Sequence, residues 1–314
     1  MNVGRFLARR VAWTVVAAYL VLTGAFLLFA FTPDPDQVLV QFFAGERAAD
    51  AYAAARNYDR PLLDRYRTWL VGYATLDLGT TVDGRRVTAV LREAAPVTLV
   101  YLVPGLLLGN VLGVLVGHLA AMRGRVADAL GSAVSYVGFG IPAFFLGEIA
   151  VVVFIRELSW YRTYYDPRFG LWSADNLVTL TLPALVVALN VFAVQLRYAR
   201  AETLEFASAD FVKTLRAAGA GFRDRSRHVL RNASLPLVSL FFTETLTVLF
   251  VTVYVVELVF RVPGLGELAF RALTNRDFGL ILATTLIPVF VGLVGNLVQD
   301  VLYAVLDPRV GDEE

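Results

Sequence analysis

Leu204-Glu205-Phe206-Ala207-Ser208-Ala209-Asp210-Phe211-Val212-Lys213-Thr214-Leu215-Arg216-Ala217-Ala218-Gly219-Ala220-Gly221 is the stretch on which the reading of this chain turns. It lies between two apolar blocks, near 177–197 and 235–257. Each has about the 20 residues that a helix needs to cross roughly 30 Å of hydrocarbon. Leu204, Ala207, Phe211 and Leu215 are spaced by three and four, one face of a helix, and Arg200, Glu205, Lys213 and Arg216 mostly lie off that face. Ala217-Ala218-Gly219-Ala220-Gly221 then offers a place to break or bend sharply, because glycine tolerates positive φ. A second basic stretch, Arg223 to Arg231, leads to Leu235-Pro236, where the next apolar block begins. The segment 198–234 is far longer than a helical hairpin requires, and its spacing predicts two helical pieces joined by a small-residue elbow.

Working outward, four more apolar blocks lie near 11–31, 97–120, 131–155 and 280–304, which makes about six spans and an all-α integral membrane protein. Composition agrees: 57% of the residues are hydrophobic and mean hydropathy is +0.63, whereas soluble domains are about 45–50% apolar. A net charge of +1 gives no nucleic-acid surface, and with no cysteine there is no disulfide, iron–sulfur or thiolate zinc site. His118 and His228 are the only histidines, too few for an all-histidine metal site. The first block is longer than the apolar core of a signal peptide and ends at Phe31-Thr32-Pro33-Asp34-Pro35 without a small-residue cleavage pattern, so it reads as a retained helix.

With an even number of spans the termini share a side, and the basic residues choose it. Arg5, Arg9, Arg10, Arg123, Arg125, Arg309 and the cluster from Arg197 to Arg231 fall together on one side, which the positive-inside rule makes cytoplasmic. Residues 32–95 are too polar to span. Leu62, Leu63, Tyr66, Trp69, Leu70 and Tyr73 predict one amphipathic helix there, with Pro61 in its first turn, and Asp77-Leu78-Gly79 and Asp83-Gly84 read as turns. The expected organisation is a first helix plus extracytoplasmic insertion over 1–95, a five-span core with its cytoplasmic loop over 96–307, and a cytoplasmic tail over 308–314.

From physics alone a basic loop between spans is either an anchor to anionic lipid or a docking element for another protein. Val212-Lys213-Thr214-Leu215-Arg216-Ala217-Ala218-Gly219, followed by His228-Val229-Leu230-Arg231-Asn232-Ala233-Ser234-Leu235-Pro236, resembles the loop of binding-protein-dependent permeases of ATP-driven (ABC) importers. Their peptide branch has an R-A-x-G pattern with a proline some 17 residues on, and Gly219 to Pro236 has that spacing. Arg216 stands where the older pattern has Glu, Ala218 replaces a commonly basic residue and Leu215 a commonly small one. Phe6-Leu7-Ala8-Arg9-Arg10, Arg60-Pro61-Leu62, Asp77-Leu78-Gly79, Val256-Glu257-Leu258-Val259-Phe260, Pro263-Gly264-Leu265-Gly266, Arg276-Asp277-Phe278 and Leu306-Asp307-Pro308-Arg309 also look like dipeptide, oligopeptide and nickel permeases, in the right order along the chain.

The resemblance implies a type I importer permease fold, a second similar permease subunit, two cytoplasmic ATPase subunits docked on the loops, and an external solute-binding protein that delivers substrate. It assigns coupling to Arg216, Ala217, Ala218 and Gly219, with small residues allowing close approach and Gly219 setting the elbow. Cargo in the peptide class is expected, with nickel chelates or oligosaccharides as alternatives. The resemblance places ATP and Mg on the ATPases; the chain itself has no G-x-x-x-x-G-K-[ST] loop for phosphates and no evident nucleophile–base pair, so it is expected to bind no cofactor and not to be an enzyme.

Charged groups inside a span face protein or water rather than lipid. Glu148, Glu244 and Asn190 are therefore candidates for the translocation pathway, against the alternative of hydrogen bonds to the partner permease; Asn110 and Asn296 are weaker candidates. Glu257 and Asp300 sit near span ends, where they can reach the interface. Gly109, Gly113 and Gly117 recur every four residues and predict close helix packing. Pro104, Pro142, Pro183 and Pro288 are expected to kink or end helices. A secondary transporter driven by an ion gradient is the competing reading; it requires charged relays within the membrane.

Overall fold

The computed structural model describes residues 3–31, 35–55, 59–157 and 164–306. Thr32, Pro33, Asp34, most of the Leu306–Arg309 pattern and the tail 308–314 lie outside these residues. The described residues form helices throughout, with one isolated β-bridge between Thr80 and Arg86.

Five helical spans are long and apolar enough to cross a bilayer. They are α1 (Val3–Phe31), α5 (Val87–Met122), α8 (Ala174–Ser208), the composite of α10 (Phe222–Thr247) and α11 (Val253–Phe260), and α13 (Phe278–Leu306). The sixth expected span, near 131–155, is not one rod. It is α6 (Arg125–Gly140) followed by α7 (Ala143–Ala150), which runs on as a π-helical turn to Glu157, with an 89° bend between the two arms. The cause is local. Pro142 has no N–H to offer the preceding turn and forces Ile141 out of helical geometry, to φ −95° and ψ 115°. Pro104, Pro183 and Pro288, by contrast, lie inside α5, α8 and α13.

The centre of the molecule is the pair α5–α8. Gly105, Gly109, Gly113 and Gly117 form a four-residue stripe on α5, and α8 lies so close that a Cβ on each would meet it: Ala184 O at 2.7 Å, Ala188 O at 2.5 Å, the Gln195 Cβ at 2.5 Å and Leu196 O at 2.6 Å, respectively. Both series of numbers rise together, so the two helices run parallel and in constant register. In a bilayer, where burial from water cannot drive helix association, this intimate van der Waals contact is what holds helices together. The stripe extends the three glycines expected from sequence by one turn. At the opposite end from the α8–α10 connection, Tyr101, Leu102, Leu180, Val187, Val256 and Phe260 gather α5, α8 and α11 into the main apolar core, joined by Val248 from the π-helical turn between α10 and α11.

The segment before α5 holds three short helices, α2 (Pro35–Ala44), α3 (Glu46–Ala55) and α4 (Leu62–Thr75). Only α4 was anticipated; Pro61 is its N-cap rather than a residue of its first turn. Its aromatic face packs on α1: Phe26 meets Tyr66 and Trp69, and Thr23 shares a 2.8 Å hydrogen bond with the Tyr66 hydroxyl. The turns at Gly79 and Gly84 have φ of +78° and +77°. The second span begins at Val87, about three turns before the expected start near 97, as one unbroken helix.

Candidate functional site: a helical elbow and a buried carboxylate

At one end, α8 stops at Ser208. Ala209 is extended (φ −67°, ψ 155°), and a separate helix, α9 (Asp210–Ala217), follows. Leu204 and Ala207 thus belong to a different helix from Phe211 and Leu215, and the single face expected for the four is broken between them. The buried anchor of α9 is Val212, which is 2% exposed. Its end is closed by a Schellman motif: the Gly219 N–H donates to Arg216 O (3.0 Å) and the Ala220 N–H to Leu215 O (2.9 Å). Gly219, at φ +78°, holds the left-handed position that this motif needs. After Gly221, α10 starts at Phe222. The elbow therefore forms where the sequence placed it, and Arg216, Ala217, Ala218 and Gly219 are all exposed on it.

The same end carries polar ties between helices. Arg200 on α8 makes a bidentate pair with Asp128 on α6, Nε to Oδ1 at 2.6 Å and Nη2 to Oδ2 at 3.0 Å. Arg10 on α1 reaches Asp300 on α13 at 3.3 Å. His118, near the end of α5, is buried; its Nδ1 lies 3.1 Å from the Thr203 hydroxyl of α8 and its Nε2 lies 2.6 Å from the Ser226 hydroxyl of α10.

At the other end the decisive residue is Glu257, which sequence reading placed at the interface. It is fully buried instead. The Thr98 and Tyr101 hydroxyls donate to its Oε1 (2.6 and 2.9 Å), and the N–H groups of Gly266 and Glu267 donate to its Oε2 (2.7 and 3.0 Å). These amides open α12 (Leu265–Thr274), so the carboxylate caps a helix N-terminus, where backbone donors and the helix dipole favour negative charge. The Thr98 hydroxyl also accepts from the Leu265 N–H at 2.8 Å. A Cβ on Gly264 would overlap both the carboxylate and that hydroxyl, and one on Gly266 would lie 2.8 Å from the Tyr254 Cα. The pattern Glu257…Pro263-Gly264-Leu265-Gly266 is thus a folding unit: a carboxylate, and the glycines that let backbone reach it. Asp277 does similar work next door, accepting from the Val82 N–H (2.8 Å) and the Leu280 N–H (3.1 Å), so the 80–86 turn is tied to the start of α13.

Among the described residues no hydrogen bond or ion pair joins the three pathway candidates. Glu148 is exposed on α7, Asn190 is half-buried on α8, and Glu244 is half-buried on α10 just before its π-helical turn, Val248–Thr252. Asn110 donates to Leu106 O of its own helix at 2.7 Å, and its Oδ1 is buried without a partner among the described residues. Sequence reading missed His118, Ser226 and Thr98, because a lone histidine and two hydroxyls in apolar blocks carry no local pattern; the partners of each lie more than a hundred residues away except for Thr203.

Residues 109–312 match the family described as the binding-protein-dependent transport system inner membrane component. Over 98% of both chains, this protein is 32% identical to the oligopeptide transport system permease protein OppB of Mycobacterium bovis. It is 29% identical to the oligopeptide transport system permease protein AppB of Bacillus subtilis, covering 91% of this chain and 92% of that one. With the di/tripeptide transport system permease protein DppB of Pseudomonas aeruginosa it shares 30% identity, over 97% of this chain and 98% of the other.

Proposed function

The chain belongs to the binding-protein-dependent transport system inner membrane components, and from that premise we propose that it is the permease subunit of an ATP-driven importer whose cargo is peptides. The observation that carries this reading is the exposed α9 elbow, within the family-matched region, joined to two spans and closed by its own capping bonds. A short helix of this kind is suited to sit in a cleft of a motor protein and pass rigid-body motion to the helices on either side. The peptide class follows the relatives, whose names specify oligopeptides and di- or tripeptides. Those relationships also speak against a secondary transporter.

In the assembled importer this chain pairs with a second permease, two cytoplasmic ATPase subunits dock on the two elbows through residues such as Arg216, Ala217, Ala218 and Gly219, and an external solute-binding protein hands over the peptide. ATP and Mg act on the ATPase subunits. The termini and the 198–234 loop face the cytoplasm, as the positive-inside rule assigns, and the 32–95 segment is extracytoplasmic. Glu148, Glu244 and Asn190 face the pathway or the second permease, since an unpaired carboxylate or amide is costly against lipid.

The test is assembly and topology together. Cysteines introduced at 205–230 should react with impermeant reagent only from the cytoplasmic side. The chain should co-purify with the ATPases, and proteoliposomes holding the whole complex should take up peptide only with ATP and binding protein present. External labelling of the elbow, or uptake by this chain alone, would overturn the reading.

A further inference from the structure

Thr203 lies in the last turns of α8, which ends at Ser208, and Ser226 lies in the first turns of α10 beyond α9; the imidazole of His118 on α5 touches both stems. Nδ1 is 3.1 Å from the Thr203 hydroxyl and Nε2 is 2.6 Å from the Ser226 hydroxyl. Thr203 is 0% and His118 3% exposed. Neither hydroxyl has another hydrogen bond among the described residues. A neutral imidazole donates from one nitrogen and accepts at the other, so with one hydroxyl accepting and the other donating, each ring nitrogen is satisfied. With both ring nitrogens paired the imidazole is held in one geometry, since breaking either bond leaves a buried ring nitrogen unpaired.

We propose that His118 is a positioning residue that clamps both stems of the α9 elbow to α5, so that displacement of α9 moves the adjoining ends of α5, α8 and α10 as one body. The division of labour in the packing supports this. On α5–α8 the glycine stripe already fixes the pair. The start of α10 has no such seam; it is held by small and branched apolar contacts at Val229, Ala233 and Leu237, all farther along the helix than Ser226. The Ser226–His118 bond is therefore the tie nearest the elbow on the return stem. Without it, the first turns of α10 can swing with α9 while the spans stay behind, and hydrolysis is no longer converted into transport.

This inference rests on α9 being the ATPase-docking element. The experiment uses the complete transporter in proteoliposomes, with uptake of a radiolabelled tripeptide held by the binding protein and ATP hydrolysis measured in the same vesicles. Ser226→Ala and His118→Leu should co-purify with the ATPases and hydrolyse ATP, yet move severalfold less peptide per ATP than the wild type. Ser226→Thr, which keeps the hydroxyl, should restore the ratio. Unchanged peptide per ATP in Ser226→Ala and His118→Leu overturns the clamp, and so does loss of ATPase co-purification in those variants, which would make the junction part of the docking surface. If the wild-type chain itself fails to retain the ATPases, the docking reading falls and takes the clamp with it; the wild-type control separates that failure from failure of the clamp alone.

Discussion

The carboxylate of Glu257 fills the volume that a side chain on Gly264 would need, and the two residues are in this sense fitted to each other. Gly264 has φ −103°, a conformation open to any residue, so its requirement is one of space and not of backbone freedom. Alanine at 264 should push the carboxylate off the α12 amides and the Thr98 hydroxyl. Overpacking of this kind costs about 1–3 kcal/mol, to be read as a lowered Tm of the purified complex.

Substitution of Glu257 separates charge from hydrogen bonding. In Glu257→Gln the amide oxygen can still accept from the Gly266 and Glu267 N–H groups, while its NH2 faces two hydroxyls that can turn to accept. Glu257→Leu leaves four donors without an acceptor. With each buried unsatisfied donor costing about 1–3 kcal/mol, the leucine variant should lose at least about 3 kcal/mol and the glutamine variant a fraction of that. Thermal unfolding in detergent orders the two, and equal loss in both would assign the role to charge alone.

The glycines of the spans should divide by neighbour rather than by helix. A Cβ on Gly113 would sit 2.5 Å from that of Gln195, whereas one on Gly24 in α1 meets nothing within 4 Å. Gly113→Ala should therefore destabilise by about 1–3 kcal/mol, and Gly24→Ala should be neutral or stabilising by up to about 1 kcal/mol through helix propensity. Thermal stability of the two variants gives the comparison directly.

The two elbow glycines are also unequal. Gly219 has φ +78° in open space, so a side chain there is strained without a clash, while Gly221 has an ordinary φ of −68°. Gly219→Val should cost about 1–2 kcal/mol locally, leave the spans intact and weaken ATPase co-purification and peptide uptake. Gly221→Ala should change neither.

Arg200 and Asp128, each about a quarter exposed, join α8 to α6 through two parallel bonds. Removing one partner, as in Asp128→Ala, should cost about 1.5–3 kcal/mol, typical of hydrogen bonds to charged groups. The swapped pair Asp128→Arg with Arg200→Asp should recover part of it. A double-mutant cycle on thermal stability yields the coupling energy, and a value near zero would make the pair ornamental.

The spans and the elbow were legible in the sequence because their signals are local. Apolar length marks a span, and Gly219 after a short amphipathic run marks a Schellman end. The bend at Pro142 was legible only in part: proline announces an interruption, but an 89° turn depends on Ile141 going extended and on what α7 then packs against. Glu257 was misread because position near a span end says nothing of depth. Its burial is created by Thr98 and Tyr101, about 160 residues earlier in the chain, and by the returning amides of α12. The His118 junction is of the same kind, three unremarkable residues joined only by tertiary folding.

The break between α6 and α7 has one more consequence. The last carbonyls of α6 and the first amides of α7 lack the partners that an unbroken rod would provide, and hydrocarbon cannot supply them. A copy with lipid against this bend would have unsatisfied peptide groups there. The bend is therefore where the chain most needs a neighbour to cover it, and proteolysis near Pro142 should be faster in the isolated chain than in any assembly that shields it.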